Sequence, residues 1–247
     1  MGKRPGVRRR GRGGMQFRAA ATYKLKPAKY PSFSLDEERR GDIIDLVHES
    51  GRDVPLAKVR FEDGSVSFIP APLGTKVGQR MNFGLNSEII DGNVISIQNI
   101  PDGTIVCNVE QQFGDGGALM KSAGADATVF SHADDGVILK LASGKFKKLN
   151  PKNRAMIGTL AGGGVEDRPL MRAGVKMMRF KSKGKKYPIV RGVAQAAYVH
   201  PHGGGRHQHV GQSSTVSRNA PPGAKVGSIA AKKTGRARIK ERKQSIK

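Results

Sequence analysis

The distribution of charge along the chain constrains its fold more than any other feature. Residues 1–31 contain ten Lys and Arg residues and no acid, and residues 171–247 contain nineteen against the single acid Glu241. Residues 32–170 hold fifteen basic and nineteen acidic residues, so the formal net charge of +24 comes from the two arms. Such arms bring too little apolar surface to fold alone. We therefore expect a packed body between two arms that bind a polyanion.

Nucleic acid and an anionic membrane are the two candidate polyanions. No apolar stretch follows the basic N-terminus, and Gly6 stands where a myristoylation signal needs Ser or Thr. Neither arm has the apolar stripe of a membrane-bound helix. Nucleic acid is therefore the predicted partner, without a membrane. The single Cys107 excludes an intramolecular disulfide and suits a reducing cytoplasm.

The body has the pattern of β-structure. Over residues 57–68, apolar and polar residues alternate on both sides of Asp63-Gly64, which predicts a β-hairpin. Six further short apolar runs follow, separated by turn signals such as Asp135-Gly136. Short strands at this spacing are typical of small barrels or a sandwich. A single helical turn is predicted near Pro151–Ile157, and from about Leu170 onwards the apolar pattern is lost.

These patterns divide the chain into four segments. The predicted boundaries are a basic N-terminal extension over 1–31, two small β units over 32–84 and 85–170, and a basic C-terminal extension over 171–247. Each β unit is small enough that packing against the other unit or against RNA is expected to supply part of its stability.

The segment Tyr198–Gly211 is the most specific motif, with four histidines within ten residues and three consecutive glycines. One interpretation is a metal site, although no cysteine or carboxylate lies nearby to complete it. A second is a loop whose glycines allow backbone N–H groups to approach phosphate or sugar directly. A flexible His/Gly linker is the third. The residues alone leave these three open.

The remaining motifs give little support to an enzyme. Gly162–Gly164 lacks the spacing of a phosphate-binding P-loop. Cys107 lies in an alternating segment that predicts a strand residue, without neighbours that would lower its pKa. The acidic pair Asp134-Asp135 is explained by a hairpin turn. We predict that the protein is not an enzyme on its own.

Three stretches of this sequence resemble one known family. Residues Gly192–Gly211, Lys152–Gly164 and Ala220–Arg238 are similar to signatures of the universal large-subunit ribosomal protein two family, and the resemblance covers essentially the whole chain. The short N-terminal arm and the RHQH sequence after the glycines resemble its archaeal and eukaryotic branch.

The resemblance implies an OB-like β-barrel followed by an SH3-like β-barrel, which matches the two predicted β units. It implies a primary rRNA-binding protein of the large ribosomal subunit that supports subunit assembly, subunit association and the peptidyl transferase region. The implied partners are large-subunit rRNA, other large-subunit proteins and the small subunit. No intrinsic cofactor is expected, and Mg²⁺ only through bound rRNA. The family has been discussed as a catalytic participant, but this sequence gives no support for acid–base catalysis by the protein.

The residues predicted to contact rRNA come from the basic runs and from the family motifs. They are Arg8, Arg9, Arg10, Arg12, Lys152, Asn153, Arg154, Lys181, Lys183, Lys185, Lys186, Arg191, His200, His202, Gly203, Gly204, Gly205, Arg206, Lys232, Lys233, Arg236 and Arg238. Two other functions stay open from the residues: a free-standing RNA-binding or RNA-chaperone protein, and a metal-dependent hydrolase that uses the histidines.

Overall fold

The computed structural model describes residues 5–19, 21–22, 24–32, 37–85 and 87–232. Contacts within the chain separate two compact units. One comprises residues 19–183, and the other comprises the described parts of 1–18 and 184–247. Among the described residues, every helix is too short or too polar to cross a membrane.

Four strands open the larger unit. They are β1 (Arg39–Val47), β2 (Leu56–Phe61), β3 (Val66–Pro70) and β4 (Arg80–Phe83). β1 lies between β2 and β4, and β3 pairs with β2, all antiparallel. The predicted hairpin is confirmed as β2–β3. Its turn is closed by the Asp63 carboxylate, which accepts hydrogen bonds from the backbone N–H and hydroxyl of Ser65 at 2.8 and 2.6 Å.

Six further strands continue the same sheet. They are β5 (Val94–Ser96), β6 (Ile105–Cys107), β7 (Ala127–Ala133), β8 (Gly136–Leu141), β9 (Phe146–Leu149) and β10 (Arg154–Ile157). The strand order is β3-β2-β1-β4-β5-β10-β6-β7-β8-β9. Neighbouring strands of the described sheet are antiparallel except β4 and β5, which pair in parallel with Phe83 opposite Val94. Cys107 ends β6, so its predicted place on a strand is confirmed.

Two hydrophobic cores lie on opposite faces of the central strands β5, β10 and β6. Neighbouring residues in these strands go to different cores, since side chains alternate across a sheet. Met156 packs in the core of β1–β4, whereas Ala155 and Ile157 pack in the core of β7–β9. The prediction of a mainly β protein is confirmed, and the arrangement is consistent with an OB-like followed by an SH3-like barrel. The boundaries predicted at 31/32, 84/85 and 170/171 stay predictions.

The helical turn predicted near Pro151–Ile157 is wrong beyond its first residues. A turn at 151–152 leads into β10, in which all four residues are buried. A strand that is covered on both faces lacks the alternation by which strands are recognised in sequence. The apolar pattern of Arg154–Ile157 therefore did not distinguish a strand from a helix. The pairing of this segment with β5 and β6 determined that it is a strand.

Residues near the end of the predicted N-terminal extension belong to the core. Ala28 forms a parallel bridge with Phe68, and Tyr30 is 4% exposed. The Tyr30 hydroxyl donates to the carbonyl oxygen of Asn108 at 2.6 Å. Ala28 and Tyr30 therefore pack against the sheet that follows them in the chain.

Helix α2 (Ala173–Ser182) forms where the sequence indicated irregular structure, and it follows the short helix α1 (Gly6–Arg10) in chain order. Its C-terminal end is held by Asp53, whose carboxylate accepts hydrogen bonds from Arg179 at 3.2 Å and from Lys183 at 2.5 Å. Burial alone would raise the pKa of Asp53, but Lys183 and then Arg179 hold it below its ordinary value. None of the helix residues is buried. The sequence therefore lacks the apolar stripe by which a helix is usually recognised.

The smaller unit contains little regular structure in its described residues. Besides α1, it has β11 (Thr215–Val216), which pairs in parallel with β12 (Ser228–Ile229). Val226 is buried there, and most other described side chains of 184–232 are exposed. This sparse core fits the irregular basic extensions that were predicted.

Candidate nucleic-acid interface

The loop of residues 191–205 is shaped by close approaches that only glycine permits. A Cβ on Gly192 would lie 2.3 Å from the ring of His200, and a Cβ on Gly203 would lie 2.4 Å from the carbonyl oxygen of Gln195. Gly204 has a φ of +83°, and its Cβ would lie 2.9 Å from the Cβ of Ala197. Two of the three consecutive glycines are thus required by packing within the loop itself.

Backbone hydrogen bonds hold the same loop. The N–H of Gly203 donates to the carbonyl oxygen of His200 at 2.8 Å, and the N–H of Gly204 donates to that of Gln195 at 3.0 Å. These two N–H groups therefore have protein acceptors. The sequence had suggested that such N–H groups bind phosphate or sugar. The contact of Gly203 and Gly204 with rRNA stays a prediction, and it would have to be made by other atoms of the loop.

His200 and His202 have different positions in this loop. Nδ1 of His200 accepts a hydrogen bond from the backbone N–H of His202 at 3.0 Å, and the two rings meet edge to face with centroids 5.1 Å apart. Partial burial and then the neighbouring His202 lower the pKa of His200 below its ordinary value. The neutral form of His200 is the one that can accept this bond, so its geometry indicates a structural role in the loop.

Exposed cationic side chains lie at the start of the loop and just after its end. Arg206 is exposed, and Arg191, also exposed, donates to the side-chain oxygen of Gln208 at 2.8 Å. The third and fourth histidines of the motif, His207 and His209, are exposed as well. Within the described residues no group of three or more His, Cys, Asp or Glu side chains is placed to hold a metal ion.

The predicted site at residues 152–154 is divided by the fold. Lys152 is exposed, whereas Asn153 and Arg154 are buried. The Arg154 guanidinium donates to Glu110 at 2.6 Å and to the carbonyl oxygen of Pro31 at 3.2 Å. Asn153 donates to the carbonyl oxygens of Glu110 and Gln111. This geometry favours a role of Asn153 and Arg154 in holding β10 to its surroundings over direct contact with RNA.

The basic run after residue 180 is also divided. Lys181, Lys185 and Lys186 are exposed, whereas Lys183 is half-buried against Asp53. An ion pair already formed with Asp53 makes Lys183 the least available of the four for a phosphate. The other three have the exposure that phosphate contact requires.

The remaining predicted contacts lie near the chain termini. Arg9, Arg10, Arg12 and Lys232 are exposed. Arg8 lies in α1, but its side chain is outside the described part of the structure. Lys233, Arg236 and Arg238 lie outside the described residues, so their contacts with rRNA stay predictions.

Sequence reasoning did not select a group of charged residues on the outer face of β1, β2 and β4. Asp42 on β1 lies opposite Arg60 on β2 and Arg80 on β4, and Arg40 precedes Asp42 by two residues on the same face. We call these four residues the arginine face. The signal in the sequence was their alternation with core residues, which had been interpreted only as evidence for strands.

The arginine face surrounds an open cavity of about 270 Å³. Nε of Arg80 donates to Oδ1 of Asp42 at 3.2 Å, with 66% of the Arg80 side chain and 47% of the Asp42 side chain exposed. The cavity lining consists of Arg40, Asp42, Arg60, Phe61, Glu62, Gly64 and Arg80.

The single thiol, that of Cys107, is in an environment that makes it unreactive. Cys107 is buried, and burial first, then Asp126 and Asp91, raise its pKa to about 12. At neutral pH it is therefore a protonated core residue, because a thiolate is the reactive form.

Comparison with known proteins gives one consistent result. The family model described as "Ribosomal Proteins L2, C-terminal domain" matches residues 90–226, more than half of the chain. The large ribosomal subunit protein uL2 of Cenarchaeum symbiosum (strain A) is 77% identical over 243 residues, which cover 98% of this chain and 100% of the relative. The protein of the same name from Nitrosopumilus maritimus (strain SCM1) is 76% identical over 98% of this chain and 100% of the relative. That from Korarchaeum cryptofilum (strain OPF8) is 47% identical over 96% and 97%.

Proposed function

Because this chain belongs to the uL2 family of large ribosomal subunit proteins, in its archaeal form, we propose that it is a structural constituent of the large ribosomal subunit that binds rRNA. The family predicted from the sequence motifs is confirmed. The observation that carries the function is the identity of 77% to a named ribosomal protein over 98% of this chain.

The structure is suited to such a role. A β-sheet body of net charge −4 carries the two arms, which hold +10 and +18. Rigid packing of the body fixes its orientation, while the exposed cations of the arms neutralise phosphates. Ordering of the irregular segments on RNA costs chain entropy, which contacts with RNA must offset. The protein therefore contributes to assembly by bringing rRNA segments together and shielding their charge.

Contact with the small subunit, support of the peptidyl transferase region and a location in the cytoplasm extend this proposal. They rest on the family. Support of the peptidyl transferase region rests also on the loop of residues 191–205, which has a defined shape and the exposed cations Arg191 and Arg206 at its two ends. The same proposal makes the protein a non-enzyme. His200 is engaged inside the loop, Cys107 is protonated and buried, and RNA rather than this chain carries the chemistry.

Sedimentation of an epitope-tagged chain through a sucrose gradient tests the proposed function. The tagged protein should migrate with large subunits and with whole ribosomes, and it should remain there after a high-salt wash. A free-standing RNA-binding or chaperone protein would dissociate in salt and stay near the top of the gradient, which would contradict the proposal. A tagged, basic, non-ribosomal RNA-binding protein serves as the control.

A further inference from the structure

The arginine face is locally positive, with three arginines and one aspartate, although residues 32–170 have a net charge of −4. Side chains opposite each other on antiparallel strands have Cβ atoms about 4.5–5.5 Å apart. Arg60, Asp42 and Arg80 therefore form one row across β2, β1 and β4, and Arg40 stands beside this row on β1. Three arginines and the carboxylate of Asp42 thus line the same open cavity.

The charged groups of this face are unequally engaged. Arg80 is bound to Asp42, whereas Arg40 and Arg60 are exposed and have no side-chain hydrogen bond or ion pair among the described residues. The second oxygen of Asp42 is not used by Arg80. The face therefore offers two unengaged guanidinium forks and, between them, a carboxylate oxygen that can accept a hydrogen bond.

We propose that the arginine face binds one ribose–phosphate unit of an RNA backbone, with Arg40 and Arg60 on the phosphate and Asp42 accepting a hydrogen bond from the ribose 2′-hydroxyl. The proposal rests on the proposed function, and it assigns rRNA contacts to residues that the basic arms do not include. Guanidinium groups match phosphate oxygens in pairs. An ionised carboxylate only accepts hydrogen bonds, and the 2′-hydroxyl is the donor that distinguishes RNA from DNA.

The carboxylate is what favours RNA over other anionic partners. A carboxylate inside a site for phosphate alone would repel the ligand, but a nucleotide places a hydroxyl donor next to its phosphate. Arg80 offsets the charge of Asp42, so the phosphate is not repelled. The carboxylate side chains of an acidic protein segment only accept hydrogen bonds, so such a segment has no hydroxyl donor attached at a fixed distance from its anionic group.

Arginine variants of the full-length protein test the phosphate contact. Affinity for a short uridine oligoribonucleotide is measured over a range of salt concentrations for wild type, Arg40→Ala, Arg60→Ala and the double variant. Each single change should weaken binding severalfold. The double variant, which removes the phosphate contact altogether, should weaken it most and reduce the log–log salt slope by about 0.7, the value of one single-strand phosphate contact. Lys76→Ala, which removes one exposed charge from the same unit outside the arginine face, should leave binding near wild type. Arg60→Lys keeps the charge but not the planar guanidinium group, so its affinity should lie between those of the wild type and Arg60→Ala.

Asp42→Ala tests the ribose contact. It removes the acceptor and frees Arg80, so binding to the matching oligodeoxyribonucleotide should strengthen. The ratio of RNA affinity to DNA affinity should fall by roughly two- to tenfold, the value of one hydrogen bond. An unchanged ratio would overturn the assignment of Asp42. Equal thermal unfolding of all variants establishes that the fold is intact.

Arginine side-chain N–H resonances give a direct readout at the site. Those of Arg40 and Arg60 should shift when the oligoribonucleotide is added. Shifts of the same signals with poly-glutamate but not with RNA would overturn the proposal in favour of an acidic protein partner. Wild-type affinity in both arginine variants would also overturn it, even if the wild-type protein sediments with large subunits. Conversely, weaker binding by the variants would support the site even if sedimentation contradicted the ribosomal function.

Discussion

Glycine positions in the loop of residues 191–205 act through contacts inside the protein. Gly203→Ala places a methyl group 2.4 Å from the carbonyl oxygen of Gln195, and overpacking of this kind costs about 1–3 kcal/mol. We predict that Gly203→Ala and Gly204→Val lower incorporation into large subunits, as measured by quantitative sedimentation. Gly223→Ala is the matched control, because a Cβ there has no atom within 4 Å. Equal incorporation of all three variants would show that the loop adapts.

The histidine at position 200 makes the shape of this loop dependent on pH. Its pKa is lowered in the folded protein, so its stabilising hydrogen bond is fully present above the unfolded value of about 6.5 and is lost as pH falls through the folded pKa. We predict that NMR titration of His200 has its midpoint below the ordinary histidine value of about 6.5, and that amide exchange at His202 accelerates as His200 becomes protonated. His200→Asn should preserve the bond at low pH. A midpoint for His200 above the ordinary histidine value of about 6.5 would contradict this role.

His202 separates structural support from catalysis. If it only supports the loop, fully assembled His202→Ala subunits should form peptide bonds at close to the wild-type rate, with a pH profile of unchanged shape. Removal of a general base would instead lower the rate by roughly 10²–10⁴-fold and abolish one titration. We expect the first result in a single-turnover assay on purified particles. The second would refute the view that RNA alone carries the chemistry.

At the scale of elements, a buried ion pair connects β10 to the segment after β6 and to the N-terminal extension. Arg154 and Glu110 are 4% and 0% exposed in their side chains, and Arg154 also lies 5.6 Å from the ring centroid of Tyr30. Removing one partner leaves a buried charge uncompensated, which costs about 3–5 kcal/mol. We predict that Arg154→Met lowers the free energy of unfolding by this amount, measured by urea denaturation.

Two further variants make this prediction specific. Lys152→Ala, an exposed neighbour two residues away, should change stability by no more than about 0.5 kcal/mol. Adding Glu110→Gln to Arg154→Met should recover part of the stability, because the amide carries no charge that requires a partner. If Arg154→Met were as stable as the wild type, the Arg154–Glu110 contact would not be a stabilising element of this sheet.

At the scale of the whole molecule, the N-terminal arm is expected to contribute salt-dependent affinity for rRNA. Tyr30 and Ala28 are buried, so removal of 1–31 would open the core, whereas 1–18 lies outside the larger unit and contains seven Lys and Arg residues. We predict that deletion of 1–18 makes the log–log salt slope shallower by roughly 0.7–0.9 for each phosphate that the arm neutralises. A Gly-Ser segment of equal length in place of 1–18 should behave like the deletion. An unchanged slope would mean that the arm only increases solubility.

The sequence by itself determined those features that neighbouring residues encode. Alternation with period two predicted β2 and β3, and Asp63-Gly64 predicted the turn between them. Segregation of charge predicted the two arms, and the motif around His200–Gly205 predicted the family. The outward position of Arg60 was also implicit in this alternation, although its partners on β1 and β4 were not.

Only the tertiary structure decided which residues meet across long separations. Arg154 and Glu110 are 44 residues apart in the chain, and Asp53 and Lys183 are 130 apart. The first pair placed a predicted RNA contact in the interior, and the second anchors a helix that has no buried stripe. The same holds for β10, which is covered on both faces and so carries no alternation. The spacing of apolar residues along the chain indicates whether a segment is a strand or a helix. Which distant segment it pairs with depends on burial in the folded protein, which no local pattern shows.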